Sequence, residues 1–177
     1  MRYTLLILVV FVSFFSCKKS SETKTNQQST EQNQVSGISV LNYNQLEPLI
    51  NKSGDKTYVV NFWATWCKPC VDELPYFEKV NKKFKDKNVE VLLVSLDFSN
   101  QIQEQLIPFI KNNQLTSEVV VLDDPKQNIW IDAIDPSWSG AIPATIIYNK
   151  NKRAFYEQSF DEQTLLEELN KFLKLKK

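Results

Sequence analysis

Two cysteines spaced three apart, Cys67 and Cys70, are the residues of this chain best suited to chemistry. They stand in the stretch TYVVNFWATWCKPCVDELP, from Thr57 to Pro75. A close thiol pair can hold part of a metal site, staple a loop, or exchange electrons. A structural zinc needs four ligands, and the chain has three cysteines and no histidine. The third cysteine, Cys17, lies far upstream in an apolar leader. A disulfide across two intervening residues closes too small a loop to constrain the unfolded chain much. Redox exchange is the reading that the residue types favour, with no metal and no cofactor.

The surroundings of the pair bear on that reading. A buried strand runs into Cys67, and a helix starts there. At a helix N-terminus, free N–H groups and the macrodipole favour a thiolate. Cys70 falls one turn further in and is better shielded. Pro69 fits the first helical turn and stiffens the link, and Lys68 adds a positive charge. Glu73 follows Cys70 by three and shares its helical face. Buried there, its pKa would rise and it could relay the Cys70 proton; exposed, it would be a solvated glutamate paired with a lysine. Pro143, in GAIPATIIY, precedes a strand. If cis, it makes a tight turn that leaves the Ile142 backbone free to pair with an extended substrate; if trans, it is an ordinary strand-start proline. Trp66, Lys68, Pro69, Ile142 and Trp138 are the candidate lining of a substrate groove, with Trp138 alternatively a buried aromatic and Trp130 a core residue.

These residues need elements to position them. The pattern predicts strands at Ile38–Leu41, Thr57–Ala64, Asn88–Leu96, Glu118–Leu122, Ala144–Tyr148 and Arg153–Gln158. Helices are predicted at Asn44–Asn51, from Pro69 to about Lys85, at Asn100–Asn113 with a break at Pro108, at Pro125–Ala133, and at Asp161–Leu173 with Asp161 as N-cap. Alternating strands and helices imply parallel pairing, and the last two strands an antiparallel hairpin. The expected fold class is α/β, a mixed central β-sheet flanked by helices. Of the 177 residues, 42% are hydrophobic, and 21 basic residues balance 21 acidic ones. One domain is expected, with no charge bias toward nucleic acid. Without histidine, proton transfer must fall to a carboxylate, lysine, tyrosine or thiol.

Upstream, MRYTLLILVVFVSFFSC has the length of a signal-peptide apolar region and is short for a membrane span. It resembles a bacterial lipoprotein signal, in which Cys17 becomes the lipidated first residue; an ordinary signal peptide or short anchor would leave Cys17 incidental. Either implies export to a compartment where disulfides form. The expected division is a signal over 1–16, a lipidated Cys17 and polar tether over 17–36, and a folded domain over 37–177. The tether reaches roughly 20–25 Å by flexible-coil scaling.

The segment NFWATWCKPCVDELP resembles the active-site stretch of thioredoxin-like proteins of the TlpA/ResA type, which are membrane-anchored or periplasmic thiol-disulfide oxidoreductases. The resemblance covers about Gly37 to Leu175. Trp66, Cys67 and Cys70 match its WCxxC motif, Ile142-Pro143 its proline loop, Glu73 its glutamate, and Pro75 its helix proline. Asn100–Leu122 matches an extra helix–strand insertion absent from plain thioredoxin. The resemblance implies that Cys67 attacks, Cys70 resolves, and Pro143 is cis. It also places Asn61 where plain thioredoxins carry a buried aspartate, which leaves Glu73 as the carboxylate base. By the same resemblance, the partners are a disulfide-bearing protein substrate, frequently a cytochrome c apoprotein, and a membrane thiol reductant, with the monomer held to a bacterial membrane by its lipid and facing the periplasm. The rival readings are a peroxiredoxin-like peroxide reductase, which usually wants an arginine beside the attacking cysteine, and a non-catalytic binding or chaperone module on the same fold.

Overall fold

In the computed structural model, residues 33–35 and 37–173 are described. The leader, Cys17 and most of the predicted tether lie outside them. The strands are β1 (Asn33–Val35), β2 (Ile38–Leu41), β3 (Thr57–Trp63), β4 (Val89–Ser95), β5 (Glu118–Leu122), β6 (Ala144–Asn149) and β7 (Lys152–Tyr156). The helices are α1 (Tyr43–Ile50), α2 (Lys68–Phe84), α3 (Ile107–Asn112), α4 (Gln127–Ile134) and α5 (Glu162–Asn170). One mixed sheet runs β1-β2-β5-β4-β3-β6-β7. β2, β5, β4 and β3 are parallel neighbours, while β1, β6 and β7 pair antiparallel.

β3 is buried along its whole length, as its apolar sequence requires. Its side chains alternate between two cores. Val59 and Trp63 pack with α2 and α5, through Leu74, Phe77, Val80, Leu165 and Leu169. Tyr58, Val60 and Phe62 pack with α1 and α4, through Leu46, Ile50, Trp130 and Ile134. Each fully buried aliphatic or aromatic side chain contributes about 1.5–3 kcal/mol. The same alternation puts Asn61 on the α2 side of the sheet. Among the described residues, no helix is long and apolar enough to cross a membrane.

Three elements differ from the sequence expectation. β1 lies within the stretch read as tether and pairs with β2, Asn33 opposite Val40; backbone hydrogen bonding to a sheet edge does not need an apolar sequence. The predicted helix at Asn100–Asn113 is three pieces: a 3₁₀ turn at Ser99–Gln101, a π-helical stretch at Ile102–Leu106, and α3. Pro108 has no N–H to give the Glu104 carbonyl, and the Ile107 N–H reaches back five residues to the Ile102 carbonyl. α4 starts at Gln127, beyond Pro125, because the Asp124 carboxylate accepts from the Lys126 N–H at 2.9 Å and turns the chain there.

Candidate active site

Cys67 is the N-cap of α2, and Pro69 stands in the first turn, where its missing N–H costs nothing. The Cys67 sulfur accepts from the Cys70 N–H at 3.3 Å. The two cysteines are joined as a disulfide. Cys67 is 7% exposed and Cys70 is 0% exposed, so Cys67 is the outer sulfur. It lies 3.7 Å from the Ile142 carbonyl oxygen across the fold. The Ile142–Pro143 peptide bond is cis. Pro143 is buried and Ile142 half-buried, just ahead of β6. Two distant chain segments, the start of α2 and the loop before β6, therefore meet at one sulfur.

Glu73 is buried among apolar side chains, which resolves its two readings in favour of the core. The Asn61 side-chain amide donates to one of its oxygens at 2.8 Å, and the Phe160 backbone N–H to the other at 2.7 Å. Burial pushes its pKa up to about 7, against the lowering effect of those two donors. Asn61 donates also to the Thr145 hydroxyl at 3.1 Å, so β3, β6, α2 and the loop before α5 are tied through one polar cluster.

Two expected roles need correction. Trp138 is not a groove wall. It is 3% exposed and packs against Phe62, Trp130 and Phe155. Its indole N–H donates to the Ala141 carbonyl at 2.8 Å, so it props the proline loop from inside. The Lys68 ammonium is bonded to Asp72 one turn on, at 2.8 Å. That pair is highly exposed, and it offsets the positive charge expected to favour a thiolate. Trp66, Lys68 and Pro69 are exposed beside the pair.

Sequence reasoning missed two braces. Asp97, buried just past β4, accepts from the Thr65 N–H and hydroxyl and from the Ser95 hydroxyl. It fixes the turn that leads into Trp66 and Cys67. Glu157 accepts from the Ser139 N–H and hydroxyl and from the Ala141 N–H, gripping the proline loop from its outer side. Both are single acids in ordinary sequence contexts, and only the fold brings them to their loops. Arg153 is committed elsewhere: it donates to the Ile134 carbonyl and stacks over Tyr148.

The AhpC/TSA family model matches residues 45–154. The chain is 32% identical over 119 residues to the thiol-disulfide oxidoreductase ResA of Bacillus thuringiensis, covering 67% of this chain and 62% of that protein. It is 44% identical over 52 residues to ResA of Oceanobacillus iheyensis, covering 29% and 27%. The matches thus span less than two thirds of the length of these relatives. Among solved structures, a thiol:disulfide interchange protein of the thioredoxin family from Chlorobium tepidum aligns with a TM-score of 0.57 at 20% identity, over 68% of this chain and 81% of that one. A DsbF homologue from Corynebacterium diphtheriae aligns with a TM-score of 0.57 at 23% identity, over 70% and 76%. These two likenesses establish the fold. With the sheet order, the WCxxC segment and the family match together, this chain belongs to the AhpC/TSA family of thioredoxin-like proteins.

Proposed function

We propose that this protein is a thiol-disulfide oxidoreductase that reduces protein disulfides through Cys67 and Cys70. The observation that carries this reading is the placement of the two sulfurs: one at the N-cap of α2 beside the Ile142 carbonyl, the other fully shielded one turn in. The name shared by its ResA relatives supports it.

In the reduced protein, the Cys67 thiolate attacks one sulfur of the substrate disulfide. A mixed disulfide forms, and the other substrate sulfur leaves as a thiolate. Cys70 loses its proton, with Glu73 as the nearby acceptor, and attacks the Cys67 sulfur. The first substrate sulfur leaves, so the substrate gains two electrons and two protons while the Cys67–Cys70 disulfide forms. Ile142, ahead of Pro143, offers backbone to an extended substrate beside the reacting sulfur. A membrane thiol reductant returns the dithiol. Cys17 carries a lipid that holds the domain to a bacterial membrane on its periplasmic face, and cytochrome c apoproteins are among its substrates.

A redox titration with thiol alkylation tests the assignment. The expected result is one two-electron transition, with Cys67 alkylated first in the reduced protein. Faster alkylation of Cys70 would reverse the roles. A Cys67→Ser, Cys70→Ser double variant that kept the biological role would leave only the binding-module reading.

A further inference from the structure

Large apolar side chains are seldom left in water at one spot without a use. Among the described residues, three are prominently exposed: Trp66 at 55%, Phe98 at 62%, and Ile129 on α4. The first two share one place in the fold. β3 and β4 are parallel neighbours with Trp63 opposite Ser95. Trp66 and Phe98 each lie three residues beyond that pair, on adjoining loops at the same end of the sheet. The loops are bolted together directly before the aromatics, where buried Asp97 accepts from the Thr65 N–H and hydroxyl. Trp66 precedes Cys67. The chain around the two aromatics is uncharged from Ala64 to Cys67 and from Phe98 to Gln103. Lys68, the nearest cation to Trp66 in sequence, is bonded to Asp72.

We infer that Trp66 and Phe98 form one aromatic platform that binds a large apolar side chain next to the cysteine of the substrate disulfide. The occupant is an extended polypeptide segment, because Trp66 directly precedes Cys67, whose sulfur lies beside the Ile142 backbone carbonyl. This rests on the thiol-disulfide reading and names its substrate class: peptides with an apolar residue flanking the cysteine, in preference to polar disulfides. The Asp97 brace ties the two loops together ahead of both aromatics, so less backbone ordering is left for binding, which favours affinity.

The test uses the reduced full-length protein and two peptides, each closed by one disulfide, that differ only in Phe or Ser beside the cysteine. In each reaction the Cys67–Cys70 dithiol is oxidised and the peptide disulfide becomes two thiols. Wild type should reduce the Phe peptide roughly tenfold faster, equivalent to about 1.4 kcal/mol. Phe98→Ser should cut that preference to about twofold or less, while Phe98→Tyr should retain it. Equal wild-type rates on the two peptides would overturn the inference and leave the redox reading standing. So would a Phe98→Ser variant that slows both peptides alike, or a wild-type dimer that Phe98→Ser dissociates, since the aromatics would then serve a second copy. Reduction of neither peptide by wild type would overturn the redox reading itself.

Discussion

Asn61 of β3 and Glu73 of α2 are joined inside the core by a 2.8 Å hydrogen bond, one helical turn from Cys70. The amide holds the carboxylate without competing for its proton, because asparagine does not titrate. That relationship makes Glu73 the one carboxylate of the polar cluster and sets the first two predictions.

Glu73 has a folded pKa of about 7 against an ordinary 4.5, raised chiefly by burial. The native state therefore keeps a proton that the unfolded chain has lost over that interval. Stability should fall as pH rises from about 4.5 to 7 and level off above, by up to roughly 3 kcal/mol. Glu73→Gln should flatten this slope in urea titrations across pH 5–8. It should also alter the pH profile of thiol alkylation in the reduced protein; an unchanged profile would remove Glu73 from the proton transfer.

Asn61→Asp would set a second carboxylate against Glu73 in a buried site. Two such groups cannot both ionise cheaply, so one should hold its proton to a higher pH than Glu73 does alone. The variant should already be less stable than wild type at pH 5, since an unfolded aspartate ionises at about pH 4, and should lose stability more steeply by pH 8. Equal urea midpoints at pH 8 would refute this.

Asp97→Ala should cost about 2–3 kcal/mol, because it leaves the Thr65 N–H, the hydroxyl of half-buried Thr65 and the buried Ser95 hydroxyl without their acceptor. Asp97→Asn should cost less, keeping one acceptor oxygen. Both should slow the reaction of Cys67, since Asp97 fixes the turn that delivers it. Normal Cys67 alkylation rates in a folded Asp97→Asn protein would make the brace merely structural.

Trp138→Phe keeps most of the packing on Phe62 and Trp130 but loses the indole donor to Ala141. A loss of about 1 kcal/mol is expected from the hydrogen bond. The kinetic signature should be a raised KM for protein disulfides with a smaller change in kcat, because the loop that carries Ile142 loses its inner prop.

Gly140 lies in the same loop at φ +92°, where a side chain is strained, and an added Cβ would meet Ile131 Cδ1 at 3.0 Å. Gly140→Ala should destabilise the protein by about 1–2 kcal/mol. A thermal scan that showed no loss would mean the loop can shift without cost.

The chain itself determined the elements and the reacting pair. β3 was legible because a strand buried on both faces must be apolar throughout, and α2 because Leu74, Phe77, Val80 and Phe84 repeat at helical spacing. Cys67 and Cys70 stood out because their spacing, the strand before them and the absence of histidine left few other uses. Tertiary structure alone decided what surrounds them. Whether Glu73 faced water or core depended on Asn61 and Phe160, twelve and eighty-seven residues away in sequence. Trp138 turned inward because Phe62, Trp130 and Phe155 close over it, and no local pattern encodes such a contact. Asp97 and Glu157 became braces only when folding set them beside Thr65 and Ser139. Local periodicity reports which face of an element is buried; it carries no information about which distant donor a buried carboxylate will meet.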